Sequence, residues 1–371
     1  MLFSPAPKDS REDLYDREEE LDSLLRFLNN PLGPLALILG LRRTGKTSLL
    51  KVALKEHEGL HLVIDLRKAE EQEKLTYRSF IELLQDAINN ISSRKWRSQL
   101  LQVLRAVRGV EIHGFKVYLA WGGRNRVSLP FILEQLNELA AQTGTAAVLV
   151  FDEAQELARI AGYRIDRILA YAYDHLRHLK IILTGSKIGL LYRFIGRENP
   201  EAPLFGRATW DIELAYFTKQ QSLEFLQRGF EQVNIKVDQQ LLHQAVERLN
   251  GVPGWLTLFG YLSLQKPPKT ALKQAERTAA TLLANELENF LKLRPQARKR
   301  YLAILKAIAQ QPGSWSQIKR AAEAILAEPI PPKNYTTLLH NLQDAGFIAK
   351  TPDNNYHLTD ALLAKALAKI K

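Results

Sequence analysis

The sequence predicts an α/β chain: a parallel sheet with helices on both faces, then an all-helical lid and a C-terminal winged-helix domain. Three observations predict it. Apolar runs recur at 35–39, 61–66, 146–151, 179–183 and 210–214, with helix-period segments between them. Short apolar runs alternating with helices are the pattern of strands buried in a parallel sheet. The runs then stop near Thr218, and only helical periodicity follows. Finally, 291–371 reads as three helices and a hairpin. The expected domains are 1–215, 216–290 and 291–371.

Residues 1–13 are polar and proline-containing and read as a loosely held arm. Asp16 suits an N-cap, and Glu18, Glu19 and Glu20 suit the positive end of a helix. Leu21, Leu24, Leu25 and Leu28 repeat at helical spacing. A turn-rich stretch, 29–34, delivers the chain into Leu35–Leu39, an uncharged run that Gly40 ends. Leu41, Arg42, Arg43, Thr44, Gly45, Lys46, Thr47 and Ser48 follow, then a helical pattern. This is G-x-x-x-x-G-K-T between strand and helix, the pattern of a P-loop NTPase parallel sheet. Gly40 and Gly45 allow backbone torsions that a side chain would obstruct. The loop N–H groups and the helix N-terminus converge on phosphate. Lys46 reaches the β- and γ-phosphates, and the Thr47 hydroxyl ligates Mg²⁺.

A second strand is expected at 61–67, a helix from Tyr77 to about Ser93, a small β-hairpin insert over 110–119 and a helix over 129–142. Then Val148-Leu149-Val150-Phe151 ends in Asp152-Glu153, a Walker B pattern. An Asp at the end of a buried strand beside the P-loop holds the Mg²⁺ shell, and the following Glu polarises the attacking water. The strand at 179–186 ends in Thr184-Gly185-Ser186, where Ser186 is the favoured γ-phosphate sensor and Thr184 the alternative. Arg207, after Gly206 on the loop entering the fifth strand, is either a phosphate contact in cis or in trans, or a surface arginine paired with an acid.

In the helical lid, Gly251-Val252-Pro253 breaks the periodicity, and Pro253 can start the next helix. It reads either as a plain turn or as a lid element near the nucleotide. In the last domain the third helix offers Lys333, Asn334, Tyr335, Thr336, Thr337 and His340. In DNA-bound winged helices that helix enters the major groove. Duplex DNA and a protein partner are both expectations here. Residues 291–371 hold 13 Lys/Arg and 5 Asp/Glu, so most of the +11 net charge lies there, which points to a polyanion or an acidic surface. The absence of cysteine excludes disulfides and thiolate chemistry. No apolar run approaches the ~18 residues of a membrane span, and the start resembles no signal peptide, so a cytoplasmic protein is expected. No guanine-reading Asn-Lys-x-Asp tetrad occurs.

Together these residues resemble the archaeal ATPase family in the STAND branch of AAA+-like P-loop NTPases. The marks are Asp16-Arg17-Glu18, the loop with two arginines from Gly40 to Ser48, Phe151-Asp152-Glu153-Ala154-Gln155, Thr184-Gly185-Ser186, Gly206-Arg207, Gly251-Val252-Pro253 and the winged helix. The resemblance implies ATP or ADP with Mg²⁺, clamped between sheet domain and lid. Arg17 and its neighbours would then border the adenine, though Asp16 stands where many relatives carry Gly. Gly251-Val252-Pro253 stands where motor-type AAA+ proteins carry a sensor arginine, which implies slow hydrolysis in a molecular switch rather than a processive machine.

Overall fold

The computed structural model describes residues 1–69, 75–124 and 126–370. Its first half contains α1 (Glu18–Asn29), β1 (Leu35–Leu39), α2 (Lys46–Glu56), β2 (His61–Asp65), α3 (Tyr77–Asn89), α4 (Arg94–Leu104), β3 (Val110–His113), β4 (Lys116–Leu119), α5 (Leu129–Thr143), β5 (Ala147–Asp152), α6 (Ile165–His175), β6 (Leu179–Gly185), α7 (Ile188–Ile195) and β7 (Trp210–Glu213). Five of the strands pair in parallel in the order β2-β5-β6-β1-β7. β1, β5 and β6 are buried along their whole length, as all-parallel strands covered on both faces must be.

The order corrects one expectation. The acid-bearing strand β5 is not the immediate neighbour of the P-loop strand β1, because β6 lies between them. Strands are spaced about 4.8 Å apart, so β1 and β5 are separated by about 10 Å. The register sets Ile38 beside Thr184, Leu39 beside Gly185 and Asp65 beside Asp152. All the chemistry-bearing strand ends thus share the carboxyl edge of the sheet, where open α/β sheets bind ligands.

The helical part contains α8 (Lys219–Gln232), α9 (Gln239–Leu249), α10 (Pro253–Ser263), α11 (Pro268–Lys292), α12 (Arg298–Gln310), α13 (Trp315–Leu326), α14 (Pro332–Asp344), β8 (Ile348–Lys350), β9 (Tyr356–Leu358) and α15 (Leu362–Leu367). Ser314 and Gln317 cap α13 reciprocally, as Thr218 and Gln221 cap α8. β8 and β9 form the antiparallel wing, with Ala349 opposite His357.

By packing, the chain forms two compact units. One comprises Arg17–Gly40 and Lys46–Leu214, and its core gathers Leu37, Phe80, Phe151 and Leu183 around the sheet. The other comprises Met1–Asp16, Leu41–Gly45 and Ala215–Lys371. The segments 216–290 and 291–371 share one core in this unit, running from Leu226 and Phe259 through Leu287 to Ile304, Leu339 and Leu363.

Three local expectations are corrected. The N-terminal arm is not loosely held. Leu2 and Phe3 are buried, and the Phe3 ring packs edge-on against Phe225 and Phe230. Asp16 is not the cap of α1. It sits at φ +52 and accepts a hydrogen bond from Gln221, and Arg17 is the N-cap residue. Helices α4 and α7 had no counterpart in the sequence reading. α4 is capped by Ser93 and buries Trp96, Leu100, Leu101 and Leu104 on one face.

Phe3 lies where a Cβ on Gly229 or Gly260 would be. Alanine normally favours a helix interior over glycine by about 1 kcal/mol. Here Gly260→Ala in α10 is expected to destabilise the wild type by about 1–3 kcal/mol, because the added methyl overpacks the ring. In a Phe3→Ala background, itself about 3 kcal/mol less stable, the same change becomes neutral or stabilising. Urea unfolding of the four proteins checks the sign reversal.

Candidate nucleotide site

The loop between β1 and α2 is built from backbone torsions. Gly45 takes φ +102, a conformation open to glycine and strained for other residues, and Arg43 at φ +67 is left-handed too. Thr44 is buried, and its hydroxyl donates to Leu41 O at 2.9 Å, closing the turn. Lys46 opens α2. Its side chain is buried, and Nζ donates to Gly40 O at 2.6 Å, so the ammonium is held against the loop it serves. Thr47 and Ser48 follow in the first helical turn, where N–H groups have no partner within the helix and suit an anion.

Arg42 and Arg43 direct their side chains to one acid, Glu286 on α11. Arg43 makes the close ion pair, and Arg42 lies at 3.5 Å. Arg43 also stacks its guanidinium 4.1 Å over Trp255. Its carbonyl accepts from Gly254 N at 3.1 Å, and that N–H is one of the spare donors at the start of α10. A Cβ on Gly254 would lie 2.7 Å from Arg43 Cβ, so only glycine permits this approach. Pro253 is the first residue of α10, where its missing N–H is harmless. Trp255 Nε1 in turn donates 2.7 Å to Asp360 Oδ2, a buried carboxyl that burial pushes above its ordinary value. Glu286, Trp255 and Asp360 carried no motif, and the sequence reading missed them.

At the end of β5, Asp152 and Glu153 are both buried. The Thr184 hydroxyl donates to Asp152 Oδ1 and accepts from Glu153 N at 3.3 Å. Ser186 Oγ donates to Glu153 Oε2 at 2.7 Å, and Gln155 Nε2 reaches the same oxygen at 2.6 Å. Glu153 itself is at φ +57, off the strand path, so the two consecutive acids diverge. The two sensor candidates therefore hold one acid each: Thr184 holds Asp152, and Ser186 holds Glu153. Burial pushes the Asp152 carboxyl above its ordinary value, against the pull of Thr184.

Arg67, expected only as the last residue of the second strand, lies just beyond that strand's end at Asp65 and completes this cluster. It grips Asp65 through Nε at 2.8 Å and Nη2 at 2.7 Å, and Nη2 lies 3.3 Å from Asp152 Oδ2. Burial raises the Asp65 carboxyl, but the Arg67 bonds outweigh it and hold it below the usual range. The available signal was Asp65 itself, a second acid ending a buried strand.

Arg207 is not brought to this edge. It precedes the amino end of β7 and forms a two-pronged pair with Asp174, Nε to Oδ1 at 3.1 Å and Nη2 to Oδ2 at 2.6 Å. Asp174 lies near the end of α6, which leads into the amino end of β6. The surface ion pair is the reading the geometry supports, and a contact in cis is removed by a strand's length. Arg17 is buried at the start of α1, with Glu20 at 3.3 Å. In the winged helix, Lys333, Asn334, Thr337 and His340 face outward from α14, but Tyr335 is fully buried against Trp315 and offers no contact.

The donors fit a magnesium nucleotide in kind: a hydroxyl at Thr47, a carboxylate at Asp152, a lysine and backbone N–H groups. Among the described residues no group of three or more His, Asp or Glu side chains is placed to hold a metal ion. None of their helices is long and apolar enough to cross a membrane.

The profile of an ATPase domain predominantly from Archaea matches residues 14–259. The chain belongs to that family. A second profile, the C-terminal winged helix-turn-helix domain of MCM proteins, matches residues 295–359 of this family member. A Walker-type ATPase of Pyrococcus abyssi has a similar structure, with TM-score 0.83, 35% identity and 99% of this chain and 100% of that one covered. The ORC2 protein of Aeropyrum pernix, solved in ADPNP and ADP complexes, shares the fold at TM-score 0.62 and 15% identity over 99% and 95% of the chains. An uncharacterised ATP-binding protein of Pyrococcus abyssi is 24% identical over 233 residues. That match spans 58% of this chain and 64% of that relative.

The Arg43–Glu286 pair is half-buried, so a double-mutant cycle of Arg43→Ala and Glu286→Gln is expected to return a coupling of about 1 kcal/mol. Urea unfolding reads it.

Proposed function

We propose that this ATPase-family chain binds ATP with Mg²⁺, hydrolyses it slowly and acts as a nucleotide-controlled switch. One observation carries the switch reading. The loop residues 41–45 pack with the helices of the C-terminal unit, through Arg43 on Gly254, Trp255 and Glu286. Trp255 passes this on to Asp360, at the foot of the winged-helix segment. A loop that changes its grip on phosphate therefore pulls directly on α10, α11 and the C-terminal helices.

In this reading Lys46 and the loop N–H groups hold the β- and γ-phosphates, and Thr47 and Asp152 would hold the metal. Bound there, Mg²⁺ would neutralise charge on the phosphates. Glu153 orients and deprotonates the attacking water. Ser186 and Gln155 fix one oxygen of that carboxylate, which sets the direction of the other. Thr184 keeps Asp152 turned to the sheet edge. Arg67 supplies positive charge beside the acids and must loosen from Asp152 when a cation takes its place.

A second reading, a DNA-binding regulator in which ATP gates the winged helix, is favoured by the winged-helix match and by the basic 291–371 segment. A steep loss of duplex affinity with salt would support it, since phosphate contacts release counterions.

Lys46→Ala is expected to abolish nucleotide binding. Glu153→Gln is expected to keep Mg²⁺-ATP binding while slowing turnover by about 10²- to 10⁴-fold. Calorimetric titration and phosphate release measure the two. Turnover in Glu153→Gln at the wild-type rate would remove that residue as the base.

A further inference from the structure

The insert of α4, β3 and β4 serves neither the loop nor the acids, yet it concentrates charge and exposed aromatics. Residues 94–126 contain eight Lys/Arg and one acid, Glu111, a net +7. With +8 in 291–371, the rest of the chain is net negative, so this is a second basic region of similar weight. Arg94, Lys95, Arg105, Lys116, Arg124 and Arg126 are exposed. Arg94, Lys95 and Arg97 occupy the first turn of α4, where the helix dipole disfavours positive charge. The placement works against stability and wants another explanation.

The hairpin supplies it. Phe115 in its turn is 73% exposed, Tyr118 on β4 44% and Trp121 just beyond it 48%. Single exposed apolar residues are ordinary, but three aromatic rings within seven residues on one basic insert are not. The rings are also held in place. Val117 and Leu119 alternate inward and are buried. Asn89 on α3 makes paired bonds to Val117, to its O at 2.9 Å and from its N at 2.8 Å. Gln85 accepts from Leu119 N at 2.9 Å, so the free edge of β4 is satisfied by α3. Arg97 donates to Phe115 O at 2.8 Å and pins the turn, and Arg78 stacks 4.8 Å from the Trp121 ring. A recess of about 380 Å³ is lined by Tyr118, Trp121, Gly122 and Gly123, and by Glu111, the one acid of the insert.

Fixed, exposed rings bordered by cations are what unpaired bases need: stacking faces for the bases and charge for the phosphates. A duplex hides its base faces, and a protein partner does not explain a net charge of +7. We propose that this hairpin binds single-stranded nucleic acid through Phe115, Tyr118 and Trp121, with Lys116, Arg124 and the α4 cations following the backbone. The site shares no residue with the winged helix or with the nucleotide loop.

The test uses the full chain with fluorescein-labelled oligo-thymidylate and oligo-uridylate, the matching duplex, inorganic polyphosphate and phosphatidylserine vesicles, each at two salt concentrations. Anisotropy is expected to show both single strands bound more tightly than duplex or polyphosphate. Phe115→Ala/Tyr118→Ala/Trp121→Ala is expected to weaken oligo-thymidylate binding about tenfold or more with the salt slope unchanged. Lys116→Glu/Arg124→Glu is expected to flatten the slope. Oligo-thymidylate should quench tryptophan emission in the wild type and less in Trp121→Phe; the difference between the two is the local readout, since a strand on the winged helix would act on Trp315 equally in both. All the substituted side chains are exposed, and circular dichroism verifies folding. Equal oligo-thymidylate affinity in the aromatic variant and wild type, polyphosphate binding as tight as the oligonucleotides, or preference for vesicles would each overturn the proposal.

Discussion

Two consecutive carboxylates, Asp152 and Glu153, lie 4% and 7% exposed at the end of β5. Charge so far from water is tolerated only where partners hold it. Much of the neighbouring structure serves that need. β6 runs between β5 and β1, and its Thr184 and Ser186 hydroxyls each take one acid. β2 brings Asp65, which clamps Arg67 beside Asp152. The left-handed turn at Glu153 lets the two acids part and take different partners. The sheet order thus sets the strand that carries the hydroxyls next to the strand that carries the acids.

The loop works under a second constraint. Its arginines and the carbonyl of Arg43 must find partners outside the loop itself. Arg43 solves this within the helical unit, giving its carbonyl to Gly254 and its guanidinium to Trp255 and Glu286. The same contacts that satisfy the loop make it sensitive to α10 and α11. In this arrangement the loop's backbone and its arginines are tied to both helices. Phe3, seated over Gly229 and Gly260, ties α8 to α10 in the same unit, so the two helices pack through one ring.

Much of this was legible in the residues. The glycine–lysine loop, the acid pair, the five apolar strands and the wing all follow from local patterns: a run without charge, a turn of Pro, Asp and Asn, a helix cap. What was not legible has a common cause. Arg67, Glu286, Trp255 and Asp360 act through partners far away in sequence, and nothing near them marks the pairing. Arg207 shows the reverse. Its local context, a glycine then an arginine before a strand, left open a phosphate contact or a surface ion pair, and topology decides for the pair by putting it at the amino end of the sheet beside Asp174. Tyr335 sits among polar residues and is buried all the same, because helical periodicity turns it toward Trp315. Helix α4 was hidden by its own cations, which obscure an apolar face of Trp96, Leu100, Leu101 and Leu104.

The sequence by itself determined the family, the parallel α/β class and the presence of the glycine–lysine loop and the acid pair, since these depend on backbone torsions and on side chains a few positions apart. Only the tertiary structure decided that a strand separates the loop from its acids, that Arg42 and Arg43 answer to one glutamate, and that three rings on a hairpin stay in water. Those are matters of which distant surfaces meet. They are settled by sheet order and helix packing, where burial of charge and apolar area is balanced over the whole fold.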